Sequence, residues 1–161
     1  MLFRREIFKN DVPVIRAILA STGFFDAAPD EIDSAEVLAH EALTKGNSTE
    51  NYSFIFLEQD GETLGFSCFG RAPCALSSYE IYWLAVHNDH RGKGLGKLIL
   101  NEVLGIVKNA GATKLILKTA GRDLYIPTQK FYQSYGFKEE ARLKNFYAMG
   151  DDCLIYSMDF A

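Results

Sequence analysis

Seven residues, Arg91-Gly-Lys-Gly-Leu-Gly-Lys97, constrain this chain more than any other stretch. They follow an apolar run at 79–86 and a polar loop at 87–91. They open a segment in which Leu95, Leu98, Ile99, Val103 and Ile106 recur at helical spacing. Gly92, Gly94 and Gly96 carry no Cβ, so the backbone can curl and point several N–H groups one way. Those groups sit at a helix N-terminus, whose dipole favours an anion, and Arg91, Lys93 and Lys97 add positive charge. The reading is a strand, a cradle for a pyrophosphate-sized anion, and a helix.

A short apolar strand at 115–119 follows that helix, which makes a parallel pair spanned by the helix. Before it, a strand is expected at 3–8, a helix capped by Asp11 and ended by Gly23, and a second helix at 30–43 with Ile32, Val37, Leu38 and Leu43 as its apolar positions. Strands at 52–58 and 63–70 flank the turn Gln59-Asp60-Gly61-Glu62. A helix after Pro127 closes at Gly136, and strands at 138–149 and 154–160 meet at Gly150-Asp151-Asp152. The order is βααβββαβαββ. It describes an α/β chain, mixed in the α+β sense, with an antiparallel front half.

Length and composition exclude several classes. A chain of 161 residues, 48% hydrophobic and 24% charged, suits one globular domain over 1–161. A net charge of −4 is the wrong sign for a backbone-tracking nucleic-acid binder and leans towards an amine partner. No apolar run is long enough for a membrane span or signal peptide. Cys68, Cys74 and Cys153 form no CxxC pair, so neither a disulfide framework nor a zinc site is expected, and the chain suits a reducing cytoplasm. Each cysteine reads as a buried thiol or, alternatively, a nucleophile. His87 and His90 have no carboxylate or cysteine placed to complete a metal site, so no metal is expected.

The anion loop supplies no GxxxxGK[ST], and its alternating glycines are not GxGxxG. It does match [RQ]xxGx[GA]. Downstream, Phe131-Tyr132-Gln-Ser-Tyr-Gly136-Phe137 matches FYxxxGF. Together with the element order, these motifs resemble the GNAT (Gcn5-related N-acetyltransferase) superfamily over nearly the whole chain. The resemblance implies a central, mixed, splayed sheet of six to seven strands with helices on both faces. It implies acetyl-CoA as co-substrate, with the backbones of Leu84, Ala85 and Val86 holding the pantetheine arm. Arg91, Gly92, Lys93, Gly94, Leu95, Gly96 and Lys97 would wrap the pyrophosphate. Tyr132 would protonate the departing thiolate, or else is a core aromatic. Dimers are common among families of this resemblance.

Glu80 lies eleven positions before Arg91, where some members carry a glutamate base; strand alternation gives it a face with Tyr82, Leu84 and Val86. Its alternative is a solvent-facing polar residue at a strand start. Tyr125 stands where many relatives carry an asparagine that touches the coenzyme arm, and either replaces that contact or fills the core. Gly150-Asp151-Asp152 is a hairpin turn or a source of carboxylates for an amine. Phe24, Phe25, Tyr52, Phe54 and Phe56 are core or acceptor lining, with the loop at 23–29 in a region that often covers the acceptor in the superfamily. The expected activity is acetyl transfer to a primary amine of a small molecule by direct attack in a ternary complex. A non-catalytic acyl-CoA-binding module and a protein or peptide N-acetyltransferase are the alternatives.

Overall fold

The computed structural model describes residues 1–26, 28–48 and 52–161. Residue 27, within the loop at 23–29, lies outside the described residues. The described residues form β1 (Leu2–Arg4), α1 (Asp11–Ser21), α2 (Asp30–Lys45), β2 (Ser53–Gln59), β3 (Glu62–Arg71), β4 (Ser78–Val86), α3 (Leu95–Asn109), β5 (Lys114–Ala120), α4 (Ile126–Ser134), β6 (Lys138–Ala148) and β7 (Asp151–Asp159), in the expected order. One seven-stranded sheet runs β1-β2-β3-β4-β5-β7-β6. Only β4 and β5 pair in parallel; the remaining neighbours are antiparallel. The β2–β3 turn carries Asp60 and Gly61 at positive φ, as a two-residue hairpin of the primed type requires.

Two apolar layers clamp the sheet. On one face, Leu95, Ile99, Leu100, Val103 and Val107 of α3 and Tyr132 of α4 pack on Ile55, Phe69, Ile81 and Leu117. On the other, α1 and α2 cover Phe54, Phe56, Phe66 and Ala85. Gly65 permits a close approach of β3 to β4 and α3. A Cβ there would lie 2.7 Å from the Ala85 carbonyl oxygen and 2.9 Å from Ile99 Cδ1.

Several expectations needed correction. β1 stops at Arg4 because that side chain turns into ion pairs with Asp11 and Glu58. Asp11 is therefore not the cap of α1: Asn10 holds that position, and Asp11 accepts from Arg4 and from the Phe8 N–H. Val37 faces solvent, while Ala35, Ala39 and Ala42 join Ile32 as the buried stripe of α2. Leu98 is exposed, and Leu100 and Val107 take the inward positions on α3. Asp151 belongs to β7 rather than the turn, and it is buried.

The largest correction lies in β4. Cys68 of β3 opposes Trp83, and the next residue, Phe69, opposes Ile81, so Tyr82 is an extra residue. This bulge reverses side-chain parity along the strand. Tyr79 and Ile81 share a face with Leu84 and Val86, while Tyr82, Trp83 and Ala85 contact the α1–α2 layer. Glu80 alternates with Tyr79 and Ile81, so it shares the Tyr82 side and not that of Leu84 and Val86.

Candidate active site

The anion loop has the geometry its glycines suggest. Gly92 and Gly94 both have φ +77°, and Gly94 is the left-handed N-cap of α3. A Cβ on either would meet nothing within 4 Å, so glycine is needed there for conformation rather than for space. No side chain caps α3. Among the described residues its first-turn N–H groups have no side-chain acceptor, which leaves the helix end open to an anion. A cavity of about 550 Å³ opens onto this turn. Arg91, Gly92, Gly94, Leu95, Gly96 and Lys97 line it, as do Leu84, Ala85 and Val86. Lys93 is exposed and does not line it.

The cavity extends to the point where the parallel pair separates. β4 and β5 are in register from Ser78/Lys114 to Ile81/Leu117. Beyond that rung β4 runs on to Val86 and β5 to Ala120 without pairing, which leaves a slot in the sheet. Ser67 Oγ donates to the Trp83 carbonyl at 2.8 Å and anchors the bulge at the slot's edge.

Tyr132 stands over this slot. Gln129 donates to the Ala120 carbonyl at 3.0 Å and Gln133 to the Tyr156 hydroxyl at 3.1 Å, which fixes α4 across β5 and β7. The Tyr132 ring packs edge-on against Phe131 and Phe137. Its hydroxyl has no hydrogen-bond partner among the described residues, and burial pushes its pKa well up, so the phenol stays protonated.

A second cavity, of about 520 Å³, lies beyond the slot on the α1–α2 side. The two cavities share Phe24, Phe25, Trp83, Leu84, Thr128 and Tyr132. Tyr125 lines the second and not the first. Its hydroxyl donates to the Phe24 carbonyl at 3.2 Å, and its ring lies 5.0 Å from that of Phe24. Arg122 donates to the same carbonyl and to Asp151 Oδ2.

Glu80 lines neither cavity. It is buried, 3.6 Å from Lys118 Nζ, and Lys118 does line the second. Burial raises the Glu80 carboxyl pKa, and Lys118 works against that rise. The same carboxylate, after burial, helps to push up the pKa of Tyr82, which lines the second cavity. Phe54 and Phe56 are core residues, whereas Phe24 and Phe25 line both cavities. His87 accepts from the Asp89 N–H and His90 pairs with Glu62, and no group of three or more metal-ligating side chains is found among the described residues. No helix among them is long and apolar enough to cross a membrane.

Sequence reasoning did not single out Glu31, Lys118, Thr119, Arg122 or Tyr147 as lining of the second cavity. They come from α2, β5, β6 and the loop after β5, and only the start of α2, directly after the aromatic loop, offered a local signal.

A sheet splayed beside an uncapped, glycine-led helix, with a buried tyrosine over the gap, defines an acyl-transferase class of architecture. A family model described as "Acetyltransferase (GNAT) domain" matches residues 50–139, more than half of the chain. A Desulfovibrio desulfuricans protein assigned to the GNAT family is 38% identical, with 99% of each chain covered and a TM-score of 0.93. The chain belongs to the GNAT acetyltransferase family. A Salmonella typhimurium protein solved with its cofactor acetyl-CoA shares the fold, with a TM-score of 0.76 at 17% identity over 100% of this chain and 94% of that one. N-alpha-acetyltransferase 30 of Schizosaccharomyces pombe is 30% identical over 76 residues, 47% of this chain and 49% of its own length. The chain spans between 26% and 49% of the lengths of the curated relatives it matches.

Proposed function

We propose that the chain is an acetyl-CoA-dependent N-acetyltransferase that acylates a primary amine of a small molecule by direct attack in a ternary complex. One observation carries the reading. The cavity at the anion loop and the cavity beneath α2 meet at Tyr132, Trp83 and Leu84, where β4 and β5 part. Two reactants entering from opposite sides would meet there, and binding both supplies the proximity a bimolecular transfer needs.

The residues fit the coenzyme. The first-turn N–H groups of α3, with Arg91 and Lys97, hold its pyrophosphate, and Lys93 adds charge from outside. The free edge of β4 at Leu84, Ala85 and Val86 pairs with the pantetheine arm as an added strand would. The amine nitrogen attacks the thioester carbonyl carbon and the C–S bond breaks. Tyr132 gives its proton to the departing sulfur. Glu80 takes the excess proton of the amine through water, since it does not line the cavity itself. Tyr125 acts on the acceptor side, by fixing Phe24, rather than on the coenzyme. No cysteine lines either cavity, and burial holds the Cys68 thiol protonated, so no covalent acyl-enzyme is invoked.

Residues 1–161 are read as one GNAT domain, because β1 to β7 share a single sheet. Three free cysteines suit a reducing cytoplasm. The test is acetyl-CoA-dependent thiol release across a library of small amines and N-terminal peptides. Release with small amines and not with peptides supports the reading. Turnover of peptides alone would make the chain a protein N-acetyltransferase, and coenzyme binding with no release from any amine would make it a binding module.

A further inference from the structure

Glu80 and Lys118 form a pair where the slot begins. β4 and β5 last pair at Ile81/Leu117, and Lys118 is the first β5 residue past that rung. Glu80 pairs across with Ile116, so alternation puts Glu80, Ile116 and Lys118 on one side of the sheet, opposite Leu115 and Leu117 of the α3 layer. The Lys118 side chain reaches back past the rung, and its Nζ lies 3.6 Å from Glu80 Oε1. The Glu80 side chain is 12% exposed and lines neither cavity, whereas that of Lys118 is 47% exposed and lines the second. Lys118 is therefore the member of the pair that meets the acceptor side.

A buried carboxylate with nothing to balance its charge takes up a proton and cannot serve as a base. Among the described residues no group donates a hydrogen bond to Glu80 within 3.5 Å, and Lys118 is its one ion-pair partner. Gly70 of β3 lies opposite Glu80 and offers no side chain. The titratable side chains around it on that face are Tyr82 of β4, Tyr52 before β2 and Cys68 of β3, and none is a cation. From α2, Asp30 and Glu31 line the cavity, and neither can balance a carboxylate. Arg122, the other cation of the cavity, is held by Asp151 and the Phe24 carbonyl. Burial pushes the Glu80 carboxyl up, and Lys118 is the group that opposes the rise.

We propose that Lys118 is a positioning residue of the transfer: its ammonium ties the Glu80 carboxylate to the floor of the acceptor cavity and keeps it ionised, ready to take the amine proton. The inference rests on reading Glu80 as the base. The proton leaves the substrate ammonium, passes through water and ends on Glu80, while Lys118 keeps its own proton throughout. The neutral amine is then free to attack the thioester carbonyl.

The experiment records kcat against pH, with acetyl-CoA and a small amine, for the parent, Lys118→Met, Lys118→Arg, Glu80→Gln and the double variant of Lys118→Met with Glu80→Gln. Circular dichroism checks that each variant folds. In Lys118→Met the acidic limb is expected to move up by about one pH unit or more. Lys118→Arg, which keeps the charge, should return the limb towards its parental place. Glu80→Gln should remove the limb, and the double variant should resemble Glu80→Gln. The same upward shift should appear without turnover in the titration of the Glu80 carboxyl, followed by NMR of protein labelled in its glutamate carboxyls and assigned by the signal that Glu80→Gln lacks. A limb that persists in Glu80→Gln removes the base reading and the proposal with it. A limb lost in Glu80→Gln but unmoved in Lys118→Met overturns the proposal alone, and a raised KM for the amine in its place makes Lys118 a substrate contact. If no amine releases thiol, the carboxyl titration decides: an upward shift in Lys118→Met upholds the tie, and an unchanged midpoint overturns it.

Discussion

The Arg91 guanidinium lies 5.3 Å from the centroid of the Phe24 ring. The leading cation of the anion loop is thereby stacked on the loop between α1 and α2. Phe24 also lines both cavities, and its carbonyl receives Tyr125 and Arg122. One residue thus touches both cavities and the anion loop. Phe24→Ala is expected to raise KM for acetyl-CoA and for the amine together, each by several-fold, as loss of a cation–π contact and of cavity wall predicts. Steady-state kinetics with each substrate varied in turn checks this. A change confined to one substrate would show that the stack couples nothing.

Tyr132→Phe separates chemistry from packing. The hydroxyl has no hydrogen-bond partner to lose among the described residues, and the ring contacts with Phe131 and Phe137 survive the change. Folding stability and acetyl-CoA affinity should stay close to those of the parent, while kcat falls by about 10²-fold or more. Because burial holds the phenol protonated, the parent should keep its acid through neutral and mildly alkaline pH. Single-turnover rates with a titration of coenzyme affinity provide the measurement. Undiminished turnover would reduce Tyr132 to a core residue.

What could be read from the chain beforehand was local. The glycine loop, the helix it opens and the Asp60-Gly61 hairpin are set by residues adjacent in sequence, and each stands where the pattern put it. The orientation of Glu80 was not local. It depends on the extra residue at Tyr82, which arises from how Cys68 and Phe69 of β3 register against β4. Nothing within 79–86 marks that bulge, and a one-residue slip reverses every face beyond it. The second cavity was illegible for a similar reason. Glu31, Thr119, Arg122 and Asp151 are distant in sequence and become neighbours only when β7 inserts between β5 and β6. Val37 failed because the alanines of α2, smaller and less hydrophobic, form the stripe that packs closest.

Glu80→Gln should alter two pH profiles over one window. Burial raises the folded-state carboxyl pKa above its unfolded value. A carboxyl shifted that way favours the folded state while protonated, and that contribution is lost as pH rises through the raised value. The variant, which cannot ionise, should therefore gain stability relative to the parent as pH climbs out of the usual carboxylate range. Over the same window the parent's kcat should rise as Glu80 becomes a competent base, and the variant should lack that limb. Thermal melts and pH–rate profiles on one buffer series test both. A kcat limb that persists in the variant would assign deprotonation to water alone.

Arg4 provides a test of stability remote from the site. It donates to both carboxylate oxygens of Asp11, at 2.9 and 2.8 Å, and to Glu58 at 2.7 Å, and it lies over the Phe56 ring. Asp11 is buried, so Arg4→Met strands a carboxylate with only the Phe8 N–H as partner. The expected cost is about 3 kcal/mol, read as a fall in Tm of about 6–12 °C for a chain of this size. Arg4→Met with Asp11→Asn should recover part of the loss, since the stranded charge is then gone. A single-variant loss below about 1 kcal/mol would mean the network is screened like an ordinary surface pair.

Gly94 distinguishes conformation from charge at the anion loop. Its φ of +77° is costly for a residue with a Cβ, yet a Cβ there would meet nothing within 4 Å. Gly94→Ala should therefore cost about 1 kcal/mol of stability and weaken acetyl-CoA binding only by the distortion it imposes. Gly94→Asn should cost less, because asparagine tolerates the left-handed region. Gly94→Asp brings the same strain but places a carboxylate at the uncapped end of α3, where the helix dipole welcomes it. Its stability should match or exceed that of the alanine variant. Its affinity for acetyl-CoA should be the lowest of the three, by about 100-fold or more, because the new charge occupies the N–H groups and repels the pyrophosphate. Melting temperatures and coenzyme dissociation constants for the three variants should thus rank differently. If affinity instead follows stability across the series, the loop contributes shape alone and the anion is held elsewhere.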